Sequence, residues 1–213
     1  MKVELLEQFG DDLMVANTAR VSYGKHSEVL DEARDGKLIN YLAKHGHTSP
    51  LRHPQLRFRI QCAIFVERQL FKHQVGVSTN SISGRYVDFS DSYDLPKRLR
   101  FQSKDSKQGS NGDLPDSINE ILVADMDAHI ANARLLYARL CEAGVSKEQA
   151  RSILPLCLET TFIWTGSFQA FTHLCHLRLK PDAQKETRDV VAEMLAQVKA
   201  NGKFPLSLAA FGL

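Results

Sequence analysis

Residues 56–62 read LRFRIQC, in which Leu56, Phe58, Ile60 and Cys62 alternate with Arg57, Arg59 and Gln61. Alternation of this kind is the period of a β-strand with one face in the core and one in water. Upstream, the apolar residues Leu30, Ala33, Leu38, Tyr41 and Leu42 suit an amphipathic helix that His45-Gly46 stops. Downstream, AIFVERQLF (63–71) reads as a helix, although its apolar opening could equally extend the strand.

Farther out, residues 88–115 are polar and lose all periodicity, the composition of a long mobile loop or lid. The rest reads as helices. Ser117 and Glu120 have the spacing of a capping box before a stripe that includes Ile118, Ile121, Leu122, Met126 and Ile130, closed by Gly144. Ser146 and Gln149 repeat the cap pattern ahead of a helix that Pro155 ends, and residues 158–180 read as a buried helix. A last helix opens at Pro181-Asp182 and stops at Asn201-Gly202. With no repeat and no linker, residues 1–213 are expected to form one α/β domain: a central antiparallel sheet flanked by long helices, with a helix-rich C-terminal half.

Composition narrows the function. Lys plus Arg (27) against Asp plus Glu (25) leaves +2, too balanced for a protein whose main task is neutralising a polynucleotide. No apolar run approaches the roughly 18 residues of a membrane helix, and Cys62, Cys141, Cys157 and Cys175 are scattered, without a C-x-x-C pair. A soluble, cytoplasmic protein is expected. None of the thiols has a basic local setting that would lower its pKa, and G-x-S-x-G, Walker A and G-x-G-x-x-G are all absent.

Two stretches could carry chemistry. QLFKHQVGVSTNSISGRY (69–86) combines Lys72, Arg85 and His73 with amides, hydroxyls and two glycines, a donor-rich set suited to a phosphate monoester or simply to a solvated loop. TGSFQAFTHLCHLR (165–178) places Gly166, Gln169 or Ala170, His173, and His176 or Leu177 at helical spacing, a small and polar stripe on an otherwise apolar helix. His173 and His176 lack the companion carboxylate of a di-iron or zinc motif, so no metal is expected. Arg151 in ARSILP and Arg20 in TARVSY are each either a surface residue or an anion clamp.

Taken together, RQLFKHQVGVSTNSISGRY, ARVSY (19–23), KHGHTSPLRH (44–53), ARSILP (150–155) and LRLKPDAQKETR (177–188) resemble the flavin-dependent thymidylate synthases, in the family's order along the chain. Arg68-Gln69, His73, Asn80, Ser83, Gly84, Arg85 and Tyr86 keep the signature. Lys72 and Gln74 replace its two outer arginines, Ser81 a frequent glutamate, and Arg52 the glutamate of a Pro-Phe-Glu-His segment. Ser167, Gln169 and His173 stand where the family commonly has Asn, Arg and Asn.

The resemblance implies a methyltransferase that converts dUMP to dTMP. Methylenetetrahydrofolate would give the carbon, NADPH the electrons and FAD the hydride relay, with no cysteine nucleophile. It further implies a homotetramer with sites shared between subunits, bound neither to nucleic acid nor to a membrane. For dUMP it points to Gln69, Lys72, Ser81, Ser83, Gly84 and Arg85, with Arg151 and the catalytic Arg178. For FAD it points to Ser22, His47, Ser49, His73 and Gln74, and to Ser167, Gln169 and His173. The altered signature leaves a related pyrimidine nucleotide such as UMP, or transfer of a hydroxymethyl group, as the second reading. A nucleic-acid module built on Lys97, Arg98, Arg100 and Lys104 is the reading from another class.

Overall fold

The computed structural model describes residues 1–87, 92–104 and 107–213. In chain order the elements are β1 (Lys2–Phe9), α1 (Asp12–Arg20), α2 (Glu32–Lys44), β2 (Gln55–Ala63), α3 (Ile64–Leu70), β3 (Val77–Ser81), β4 (Arg100–Gln102) and β5 (Ser110–Asp113). They continue as α4 (Asp116–Glu142), α5 (Lys147–Ala150), β6 (Glu159–Ser167), α6 (Phe168–Arg178), α7 (Lys185–Asn201) and α8 (Pro205–Ala210).

The alternating stretch is indeed the strand that organises the molecule. β2 pairs antiparallel with β1 on one side and β6 on the other, and β3 closes the sheet in the order β1-β2-β6-β3. Phe58, Ile60 and Cys62 are buried while Arg57 and Arg59 reach Glu7 and Glu4 on β1 across the wet face, each at 3.1 Å. The buried face packs on α6 and α7: Phe58 lies over Phe171 and edge-on to Trp164, with Val190, Val191 and Met194 beneath. A buried aspartate joins the two ends of the chain. Asp12 accepts from the Leu206 and Ser207 amides at 2.7 and 2.9 Å, supplying partners to the open N-terminus of α8.

Four expectations need correction. Residues 158–180 are not one helix: 159–167 is the inner strand β6, and only 168–178 is helical. ETTFIWTGS is rich in β-branched and aromatic residues, and its burial alternates through Thr160, Phe162 and Trp164, so a strand flanked on both sides wins over a buried helix. The Ser117/Glu120 capping box does not form, because the N-cap of α4 is Pro115, which offers no side-chain cap, and Ser117 already lies inside the helix. The apolar stripe of α4 stays largely outside the core; Ile118 is 49% and Ile121 64% exposed, and only Asn119 and Ile130 of this helix are buried. Within 88–115, read as a loop, β4 and β5 form a small hairpin, while residues 88–91 and 105–106 lie outside the described residues. Among the described residues no helix is long and apolar enough to cross a membrane.

Candidate active site

Two clefts open along α6, one beside its N-terminal half and one at its C-terminal end. The first, about 680 Å³, is lined by Ser167, Gln169, Ala170 and His173 of α6 and its cap, by Val75 and Gly76 of the turn before β3, and by Arg52 and Gln55. Ser167 is the N-cap of α6 and accepts from the Ala170 amide at 3.2 Å, which fixes the first turn at the cleft wall. Gly76 comes so close that a Cβ there would lie 3.0 Å from Ser167 Oγ, and its φ of +72° is a conformation suited to glycine. Gln169, Ala170 and His173 of the expected polar stripe therefore line a cavity, but Gly166 belongs to β6 instead of the helix and His176 contacts the Phe211 carbonyl oxygen at 2.8 Å.

The second cleft, about 480 Å³, is lined by Gln69, Leu177, Arg178, Lys180, Asp182 and Gln184, among others. Gln69 at the end of α3 donates to the Gln184 amide oxygen, and Lys72 lies exposed one turn later. Gln184 escaped the sequence reading of individual residues, although it lies inside the LRLKPDAQKETR match.

His73 connects the two. Arg178 Nε donates to its Nε2 at 2.9 Å, and its ring meets His173 edge-on at 6.2 Å between centroids. A guanidinium can only donate, so His73 must be neutral and carry its proton on Nδ1. Burial, then the neighbouring Arg178 and His173 charges, lower its pKa from the ordinary 6.5 to about 4. The neutral form is the one the fold favours, so this contribution to stability is complete above pH 6.5 and disappears as pH falls through 4. In a pH titration by NMR, the His73 ring signal is expected to move with a midpoint near 4. A midpoint near the ordinary 6.5 would contradict the half-buried contact with Arg178.

The remaining expected residues lie elsewhere. Ser83, buried Gly84 and Arg85 follow β3 at its far end; Arg85 pairs with Glu148 of α5 at 3.4 Å, three positions before Arg151. Ser81 donates to Glu67 at 2.5 Å. The five residues of β3 put about 13 Å between its two ends. One chain thus holds Arg85 against α5, the helix that leads into Arg151, and gathers Gln69, His73 and Arg178 in another place. Ser22, His47 and Ser49 are exposed and do not line the first cleft; His47 neighbours Tyr41 at 5.8 Å. Arg20 is structural, bound to the fully buried Asp35.

Burial pushes the thiols of Cys62 and Cys175 up to about 12, far from thiolate formation at neutral pH. No group of three or more His, Cys, Asp or Glu able to hold a metal occurs among the described residues. Arg98 and Arg100, the heart of the basic run, are engaged by Asp116 and Glu186.

Comparison with known proteins bears on this geometry. Residues 4–205 match the family described as thymidylate synthase complementing protein. A flavin-dependent thymidylate synthase of Thermus thermophilus is 39% identical over 98% of this chain and 74% of its own. That of Kosmotoga olearia is 37% identical over 98% and 89%. Among solved structures, the UMP/dUMP methylase PolB of Streptomyces cacaoi with 5-Br dUMP superposes with a TM-score of 0.88 at 28% identity, over 99% of this chain and 94% of that one. The chain belongs to the thymidylate synthase complementing protein family, the flavin-dependent thymidylate synthases.

Proposed function

We propose that the protein converts dUMP to dTMP, with methylenetetrahydrofolate as carbon donor, NADPH as reductant and FAD in the cleft of Ser167, Gln169 and His173. The carrying observation is Arg178 of the second cleft, oriented by neutral His73, whose ring also meets His173 of the first. The first cleft has a volume in the usual range for small-molecule sites, with apolar walls, amide and hydroxyl groups and one guanidinium, a donor set that fits a flavin nucleotide. When bound, the flavin supplies the hydride-carrying chemistry. The chain supplies position and charge. With Nε committed to His73, the terminal nitrogens of Arg178 are left for the pyrimidine edge, where they stabilise negative charge as the ring is attacked. Gln69 and Lys72 serve the nucleotide from α3 and the turn after it; Lys72 brings charge without a bidentate fork.

Arg85 and Arg151 lie at the other end of β3. In this reading a second copy brings its Ser83-Gly84-Arg85 segment to the Arg178 cleft, within a homotetramer. The exposed apolar residues of α4, Ile121 and Leu135 among them, supply surface for such contacts. Four free cysteines suit a reducing cytoplasm.

A second reading, action on UMP, is favoured by one observation: the Streptomyces cacaoi methylase, which superposes at a TM-score of 0.86 with 5-Br UMP bound. One assay separates them. Purified protein with FAD, NADPH and methylenetetrahydrofolate is expected to turn dUMP into dTMP and to leave UMP unchanged. Methylation of UMP at a comparable rate would establish the second reading, and a protein that takes up no FAD would defeat both.

A further inference from the structure

We propose that Arg52 is the anion-binding residue of the first cleft and grips a phosphate of the flavin nucleotide. Arg52 ends the single-turn segment Ser49–Arg52 ahead of β2. Its Nε donates to Gln169 Oε1 at 2.9 Å and one terminal nitrogen donates to Thr48 Oγ1 at 3.1 Å. Both acceptors are neutral. They hold the guanidinium plane without compensating its charge, and they leave three of its five N–H groups for a ligand. Among the described residues no carboxylate lies within 4.0 Å of it, whereas Arg57 and Arg59, on the strand that follows, both have glutamate partners.

The surroundings point the same way. Arg52 is the one permanently charged side chain among the cleft-lining residues, and that lining contains no acid. Because Arg52 can only donate, Gln169 must turn its oxygen toward Arg52, which leaves its NH₂ as a second donor. Ser167 already accepts from Ala170, so its hydroxyl hydrogen is a third. A rigid cation with two neutral donors and no competing carboxylate is built for a phosphate oxygen. The two departures from the family pattern, at residues 52 and 169, are thus one arrangement: helix α6 carries the neutral amide and the loop before β2 carries the cation.

This inference rests on the flavin reading of the cleft, and the test separates the two. Riboflavin, FMN and FAD are titrated by flavin fluorescence into the wild-type protein, Arg52→Gln and Arg52→Lys, with thermal unfolding of each as a check on folding. The wild type is expected to prefer FMN and FAD to riboflavin. Arg52→Gln is expected to weaken FMN and FAD about ten- to hundredfold and to leave riboflavin and the melting temperature unchanged. Arg52→Lys, which keeps the charge without the fork, falls between. Undiminished FAD binding by Arg52→Gln overturns the inference, as does an equal loss for riboflavin or a wild type indifferent to the phosphate. A folded wild type that binds none of the three overturns the flavin reading itself.

Discussion

Arg178→Ala is expected to lower kcat for dTMP formation by about 10²–10³, the usual loss when one donor to a developing anion is removed, while the protein stays folded. The side chain is half-buried at the last turn of α6, and its one hydrogen bond among the described residues goes to His73, so little packing is lost. Arg178→Lys discriminates further. It keeps a positive charge but cannot donate from a Nε to His73 while presenting a fork to the nucleotide, so kcat is expected to stay far below wild type with a smaller change in KM. If charge alone matters, the lysine variant will recover most of the activity. Full activity in Arg178→Ala would remove the residue from the reaction and leave the His73 contact as packing.

How much of this was legible in the sequence depended on whether the deciding contact was local. β2 could be read from its own alternation, since one face meets the core and the other meets Glu4 and Glu7 in shallow water-exposed pairs. β6 could not. It lies between β2 and β3, its apolar and β-branched residues run on without clean alternation of polarity, and the same composition suits a buried helix. The residues of the α4 stripe do share a helix, but periodicity does not reveal whether an apolar face is covered by the same chain, and here it is largely exposed. The site shows the same division. His73 and Arg178 could be named from motif matches 105 positions apart, yet their contact depends on how α3 and α6 pack. Arg52 was visible only as a mismatch; its role emerges when the loop before β2 meets Gln169, 117 positions away.

The missed strand offers the second large effect. Trp164 is fully buried against Phe58, and its indole ring covers Gly166, two positions along the same face of β6. Trp164→Ala is expected to cost about 3–5 kcal/mol, the range for truncating a large core aromatic, measured as a fall in the denaturant midpoint at constant slope. Trp164 Nε1 has no hydrogen-bond partner among the described residues, so Trp164→Phe gives back an uncompensated polar group and should cost much less. Gly166→Ala supplies the diagnostic. A Cβ there would fall 2.5 Å from the Trp164 ring, which cannot swing aside in a packed core, so overpacking of about 1–3 kcal/mol is expected in the wild-type background. In Trp164→Ala the same methyl enters the space left by the indole, and its cost should vanish or reverse. Strong positive coupling in this double-mutant cycle is a signature of residues sharing one face at i and i+2. Were 158–180 a continuous helix, the two side chains would point roughly 200° apart and the substitutions would add. Additive costs would therefore restore the helix that the local composition suggested and remove the inner strand on which Ser167, at the edge of the first cleft, is positioned.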